Sequence, residues 1–319
     1  MVSISCLCSV YKLTSASQFR SSIDSLLAGV RLPNEIVVVI DGPIAADLAE
    51  LVESYNEHDY VRIVRLGRNQ GLAIALNAGL AICSSEIVCR FDTDDINLPG
   101  RLESIGKAFE ADARLDILGS AVFEFSESHN GGIAINLKRA LVGHSAITSR
   151  MNWANPLNHP TVAFRRYSVQ SIGGYRHMRF FEDYYLWLIA KHNGLRFENL
   201  EAPLVCMRRT GLLSRRSGIS YLRDEAFFYS SAFTRGFISP WFSPLFAVRL
   251  LSRLLPGFLQ GFQSLLPWRL SLGPCACPDL SRWLYFENAL KDYSEVGFPY
   301  WSSCDHLVNQ SNVRVRLPS

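Results

Sequence analysis

Residues 86–101 read EIVCRFDTDDINLPGR, and the reading of this stretch decides the fold. An apolar run over 87–91 breaks into three carboxylates, Asp92, Asp94 and Asp95, before the chain turns at Pro99. A run without polar alternation is the pattern of a strand buried on both faces of a parallel sheet. Acidic residues at the carboxyl end of such a strand stand where open α/β sheets bind ligands. In an extended backbone Asp92 and Asp94, two positions apart, project to the same side. Two convergent carboxylates suit a hard divalent cation, Mg²⁺ or Mn²⁺, held together with phosphate oxygens. The competing reading is an acidic N-cap for a helix starting near Pro99. A cap needs one aspartate, and three are present.

Upstream, the same alternation repeats. Residues 3–11 (SISCLCSVY) read as a strand, and Phe19, Ile23, Leu26 and Leu27 give 17–28 a helical spacing. Residues 35–40 (EIVVVI) form a second buried strand ending in Asp41-Gly42-Pro43, and Leu48, Leu51, Val52 and Tyr55 mark a second helix. A third strand over 61–66, a polar loop over 67–71, a third helix over 72–81 and a fourth strand over 86–91 complete the pattern. Strands alternating with helices of this length specify a doubly wound, mostly parallel α/β sheet. The first βα turn lacks GxGxxG, and no GxxxxGK[ST] occurs, so the dinucleotide fingerprint and the P-loop are both excluded. A nucleotide would be held by carboxylates and a metal. Asp41 is either a turn residue before Gly42 or a site residue beside the acidic cluster.

Composition narrows the class. The chain has 319 residues, 48% hydrophobic and 19% charged, which describes a globular protein, and a net charge of +3 gives no sign of a nucleic-acid partner. Eight cysteines include no CxxC pair, and the N-terminus shows no signal-peptide pattern, so a reduced, cytoplasmic protein is expected. Beyond Arg101, the patterns predict a helix over 101–110, a strand over 115–125, a turn over 129–132 and a helix over 138–147. A loop enters a short strand over 155–166, Gly173-Gly174-Tyr175 is a turn, and 180–191 (FFEDYYLWLIAK) is a helix. Glu182 and Asp183 at its start either complement the helix dipole or, following two phenylalanines, are partly buried with tuned pKa values.

Taken in order, the segments VYK at 10–12, EIVVVIDGP at 35–43, RNQGLAIALNAGL at 68–80, RFDTDDINLPGRL at 90–102, HPTVAFRR at 159–166 and GGYRHMRFFEDYYLWLIA at 173–190 resemble a known family. The pattern is that of family 2 glycosyltransferases, in texture those that build amylovoran-type exopolysaccharides. The resemblance covers roughly residues 1–235. It implies the GT-A fold, a Rossmann-like, mostly parallel mixed sheet flanked by helices. It implies transfer of a sugar, with inversion, from a nucleotide-sugar donor to a hydroxyl of a glycan or lipid-linked acceptor. On this resemblance Asp92-Thr93-Asp94 is the DxD motif, with Asp94 the direct metal ligand and Asp92 nearer the donor's ribose and the metal shell. Asp95 matches a frequent additional carboxylate, although a cap is its better explanation. Asp41 matches the residue that contacts the base or ribose, and Asn77 faces the same cleft, unless Gly71 and Asn77 only serve loop and helix geometry. Asp183 matches the catalytic base, with Glu182 supporting acceptor or backbone contacts. His159 matches a position near the acceptor or is structural before Pro160.

The chemistry asks for these residue types. A divalent cation compensates charge developing on the departing diphosphate. A carboxylate takes the proton of the acceptor hydroxyl, and one base opposite the leaving group gives inversion. Arg208 and Arg209, after the apolar run 203–207, either add positive charge at the diphosphate or are exposed loop residues. Two rivals make different demands: a nucleotidyltransferase calls for a basic, glycine-rich loop after the first strand, and a silent scaffold has no use for Asp92, Asp94 and Asp183 together.

Residues 236–272 change character, with Arg249, Arg253 and Arg269 their only charges. No apolar stretch there is long enough to span a bilayer. Scattered arginines and tryptophans suit an interfacial helix on anionic lipid, at the inner face of the cytoplasmic membrane; the alternative is a buried hairpin broken at Pro244 and Pro256. Residues 273–319 form a tail that follows no pattern of the family.

Overall fold

The computed structural model describes residues 1–127, 133–209 and 218–252. The predicted turn over 129–132, most of the predicted membrane segment and the tail over 273–319 lie outside the described residues. Four strands, β1 (Ile4–Val10), β2 (Glu35–Asp41), β3 (Val61–Leu66) and β4 (Ile87–Arg90), run parallel in the order β3-β2-β1-β4. Their side chains alternate between two cores. Cys6, Cys8, Val10, Ile36 and Val38 face helices α1 (Ala16–Leu27), α2 (Ala46–Tyr55) and α4 (Arg101–Ala111). Leu7, Val37 and Val39 face α3 (Leu72–Ile82) and the aromatic-rich α7 (Glu182–His192), whose Trp187 is fully buried. Coverage on both faces is why β2 and β4 carry no polar alternation, whereas β3 at the edge keeps exposed Arg62 and Arg65.

The second half of the sheet is mixed. Strand β8 (Ala163–Arg165) lies antiparallel to β4, β6 (Ile117–Glu127) antiparallel to β8, β9 (Phe197–Arg208) parallel to β6, and the two-residue β5 (Ile96–Asn97) antiparallel to β9. Strand β7 (Ile133–Lys138) pairs with β6, as Leu137↔Phe123 shows. The helix expected over 138–147 is therefore displaced: Lys138 closes β7, and α5 spans only His144–Arg150. Ile135 and Leu137, two positions apart, pack on Phe123 and Phe125, so the period there is that of a strand. The run around 203–207 belongs to β9, whose register with β6 shifts between Ser120 and Val122; Pro203 sits at that irregularity, where a strand tolerates proline.

The C-terminal helices α8 (Gly218–Thr234) and α9 (Ser243–Ser252) pack on the α7 side, where α6 (Arg166–Ser171) also lies. Phe228 stacks on Phe181 with ring centroids 4.9 Å apart, and Arg249 Nε donates to the fully buried Glu225 at 2.8 Å. The apolar cluster thus continues past residue 236 to Phe246. On the outside Trp241 is 91% exposed.

At the end of the sheet opposite the acidic stretch, buried Glu35 accepts from Ser5 Oγ (2.6 Å), Ser84 N (2.9 Å) and Ser84 Oγ (3.0 Å), with Arg62 Nε at 3.1 Å. Burial pushes this carboxyl up, but those donors outweigh it and hold it below the ordinary glutamate value. A depressed carboxylate stabilises the fold above its unfolded pKa and loses that contribution as pH falls through its folded pKa. Glu35→Gln is expected to cost about 1–3 kcal/mol at neutral pH. The difference from the native chain should shrink below about pH 4 in urea unfolding. A constant difference down to acid pH would refute the account.

Candidate active site at the carboxyl ends of the strands

Strand β4 ends at Arg90, one residue earlier than its apolar run, and the chain leaves the sheet in a turn closed by Asp95 N donating to Asp92 O at 3.4 Å. Ser22 Oγ on α1 fixes that turn by donating to Asp92 O at 2.7 Å. Asp92 and Asp94 therefore converge through a turn, in place of the extended backbone expected from the sequence. Carboxylate oxygens of Asp92, Asp94 and Asp95 lie within 4.8 Å of one another. Burial, then the charge of Asp92, raises the Asp94 carboxyl; the same causes, with Asp94 added, raise Asp95 strongly. Asp95 does not cap a helix: α4 starts at Arg101 behind Gly100, and Asp95 Oδ1 accepts from Arg208 N at 2.8 Å, tying the end of β9 to the turn. Arg208 lies beside the cluster, its Nε 3.4 Å from Asp94 O and its guanidinium over the Phe125 ring. Arg209 turns away to Glu124, 2.9 Å distant.

The guanidinium of Arg90 is 4% exposed and donates through Nη2 to Asp92. Opposite it stands the head of α7. Asp183 Oδ2 accepts from Asn155 Nδ2 at 2.8 Å and Oδ1 from Tyr184 N at 2.7 Å, so its half-buried carboxylate is held at both oxygens. Glu182, 8% exposed, is pushed up to about 8 by burial and by Asp183. His159 Nε2 and the Tyr175 hydroxyl lie 3.1 Å apart, and burial with the nearby Arg90 holds the imidazole well below its ordinary value, hence neutral. Burial pushes the Tyr175 hydroxyl up, and the charges of Asp183, Glu182 and Asp92 act in the same direction against that of Arg90.

Asp41 and Asn77 are spent on the protein's own backbone. Asp41 accepts from Asn69 Nδ2 (3.0 Å), Gln70 N (2.7 Å) and Gly71 N (2.9 Å), binding the loop after β3 to the end of β2. Gly42 makes this possible: its φ is +80°, and a Cβ there would stand 2.4 Å from Asn69 N. Asn77 donates to Tyr175 O at 2.8 Å and accepts from Tyr175 N at 2.9 Å, so α3 grips the Gly-Gly-Tyr turn much as a strand would. Gly174, with φ +64°, leaves room for that amide. Sequence reasoning missed Arg90 and Asn155. A lone arginine closing an apolar strand was the available signal for the first, since a buried charge requires partners; Asn155 carried none.

Residues 13–173 match the model of Glycosyl transferase family 2. The chain is 31% identical over 224 residues to UDP-Gal:alpha-D-GlcNAc-diphosphoundecaprenol beta-1,3-galactosyltransferase of Escherichia coli, covering 69% of this chain and 80% of that one. It is 34% identical over 226 residues to amylovoran biosynthesis glycosyltransferase AmsE of Erwinia amylovora, covering 70% and 84%. Among solved structures, mannosyltransferase PcManGT from Pyrobaculum calidifontis in complex with GDP-Man and Mn²⁺ superposes with TM-score 0.54 at 18% identity, over 78% of this chain and 69% of that one. S. aureus TarS in complex with UDP-GlcNAc gives TM-score 0.54 at 17% identity, over 70% and 64%. At such identity these two show the fold, which is GT-A.

The three hydrogen bonds to Asp41 separate a loop-holding role from a purely ligand-contacting one. Asp41→Ala is expected to lower stability by about 1–3 kcal/mol, the cost of stranding buried donors. Thermal unfolding without any ligand reads this directly; an unchanged midpoint would leave Asp41 only a ligand to serve.

Proposed function

We propose the following for this chain, which belongs to glycosyl transferase family 2: it moves a hexosyl group, with inversion, from a nucleotide-sugar donor to a hydroxyl of a glycan or lipid-linked acceptor. The observation that carries this reading is the pairing of two acidic groups across one buried cluster, Asp92 and Asp94 after β4 and Asp183 at the head of α7. The names of the E. coli and Erwinia relatives support lipid-linked or exopolysaccharide assembly as the setting. Family membership sets aside the nucleotidyltransferase rival.

Asp183, oriented by Asn155 and by the amide of Tyr184, accepts the proton of the acceptor hydroxyl as that oxygen bonds to the anomeric carbon. The bond from that carbon to the diphosphate oxygen breaks on the opposite face, so one displacement inverts the configuration. Asp92 and Asp94 offer an all-oxygen donor set, with carboxylates held close despite repulsion, and this fits Mg²⁺ or Mn²⁺. Such an ion, when bound, compensates charge on the diphosphate. Arg208 adds fixed positive charge beside Asp94. Asp41 and Asn77 serve the donor pocket through the loops they hold. The buried thiols of Cys6, Cys8, Cys83 and Cys89, in no disulfide among the described residues, support a reducing, cytoplasmic compartment.

Purified protein with Mn²⁺ should turn over a nucleotide sugar and stop when EDTA is added; binding and turnover of none would sink the proposal. Asp183→Asn is expected to lower kcat by about 10²–10⁴-fold, with donor affinity preserved. Near-native turnover would remove Asp183 from the base role.

We assign residues 1–235 to the glycosyltransferase domain and 236–272 to an apolar, basic segment on the membrane surface. No helix among the described residues is long and apolar enough to cross a membrane. Trp241, projecting between two helices that Arg249 ties to each other and Phe228 packs onto Tyr184 of α7, supports this contact. Trp241→Asp should reduce co-flotation with anionic vesicles without changing the unfolding midpoint; undiminished flotation would refute the contact.

A further inference from the structure

The backbone of the carboxylate turn is held by buried polar side chains that take no part in the chemistry. Arg101, at the start of α4, is 1% exposed, and the acceptors it meets are all neutral oxygens. Its Nη1 donates to Asn97 Oδ1, and its Nη2 donates both to Arg90 O and, at 2.7 Å, to Pro160 O. Its Nε, also buried, meets no acceptor among the described residues. Desolvating a guanidinium for carbonyl oxygens alone is costly, and the backbone it fixes is the one that leads into Asp92. Asn97 carries the contact onward. Its Nδ2 donates to Ser22 O at 3.0 Å and to Ser25 Oγ at 3.1 Å, so both polar atoms of its side chain are used. Ser25 Oγ in turn donates to Ser22 O at 2.7 Å and accepts from Asn97 N at 2.9 Å. Ser22 Oγ returns to the turn, donating to Asp92 O at 2.7 Å. Arg101, Asn97, Ser22 and the chain from Arg90 to Asp92 thus close a ring of hydrogen bonds, and its three holding side chains are buried.

We infer that Arg101 is a positioning residue for the metal half of the site, acting through Asn97 and Ser22 on the main chain of Asp92. This rests on the reading that Asp92 and Asp94 hold a divalent cation. Three carboxylates brought within 4.8 Å of one another repel, and a turn able to relax would let them part. The ring opposes that relaxation by fixing the carbonyls of residues 90 and 92. Its contacts to the turn fall on main-chain oxygens, so it competes with an ion for no carboxylate. The bond from Nη2 to Pro160 O also ties the turn to the segment that carries His159 and, with it, the contact to Tyr175.

Affinity for Mn²⁺ alone, followed on the full chain by electron paramagnetic resonance of the free ion, tests the assignment. Ser22→Ala removes the hydroxyl that reaches Asp92 O and is expected to weaken Mn²⁺ binding at least about threefold, within what one hydrogen bond contributes. Arg101→Lys, whose ammonium lacks the planar fork that serves several acceptors at once, should also weaken it at least about threefold. The double variant should bind no more than about twofold worse than the weaker-binding single one, because both cuts open the same ring. Should Arg101→Lys fail to fold, Asn97→Ala takes its place, since it parts Arg101 from α1 and leaves Arg101 both carbonyls. Glu35→Gln, which loosens the opposite end of the sheet, should leave Mn²⁺ affinity unchanged and so separates positioning from a general loss of stability. Losses that multiply in the double variant, a smaller loss in either single one, or an equal loss in Glu35→Gln would overturn the role of the ring while leaving the metal reading intact. A native chain that takes up no Mn²⁺ would overturn the metal reading and the role of the ring with it.

Discussion

A desolvated guanidinium has to be met by anions, and the burial of Arg90 at the end of β4 imposes that demand on everything around it. Its position is not adjustable, because β4 pairs with β1 in a register that sets Arg90 opposite Leu7. The acids that act on it come from separate parts of the chain: Asp92, in contact, from the turn that follows, and Glu182, through its charge, from the head of α7. The parallel half of the sheet thus fixes one charge, and that charge gathers the two chemically distinct ends of the cleft.

The loops around the cleft are held by carboxylate and amide side chains in place of a glycine-rich cradle. Asp41 closes the loop after β3, Asn77 closes the Gly-Gly-Tyr turn, and Asn155 reaches Asp183. Each is a side chain satisfying backbone or carboxylate groups that would otherwise be stranded near a cleft. The precision needed at the reacting atoms therefore rests on short polar contacts between distant segments, and these in turn depend on the helices that both cores hold against the sheet.

This division explains what could be read from the sequence. The parallel strands were legible from an apolar run buried on both faces at β2 and from apolar alternation at the edge strand β3; 61–66 coincides with β3 and 35–40 with all but the last residue of β2. Strand β7 was not, since six alternating residues beside a turn resemble the approach to a helix. Strand β9 was obscured by Glu201-Ala202-Pro203, where the register shifts. At the site, residue type was enough to single out Asp92, Asp94 and Asp183 as candidates. It did not disclose that Asn77 is used by Tyr175, because that partner lies 98 positions away. Nor did it separate Asp95, whose partner on β9 belongs to a strand the pattern concealed.

Charge balance gives the strongest physical reason to regard this cluster as a ligand site and not a structural knot. Asp92, Asp94, Asp95, Glu182 and Asp183 face two arginines, Arg90 and Arg208. A structural cluster tends toward neutrality, because unpaired buried charge is costly. Here the imbalance surfaces as carboxyls pushed upward at Asp94, Asp95 and Glu182, each by burial first and by a neighbouring acid second. A diphosphate brought to the same place would add to the repulsion. Under the proposed reading, a cation held by Asp92 and Asp94 would offset that repulsion, which would make donor binding and cation binding one event. On that view the repulsion among these acids is the feature that selects a negatively charged donor together with its counter-ion and rejects the donor alone.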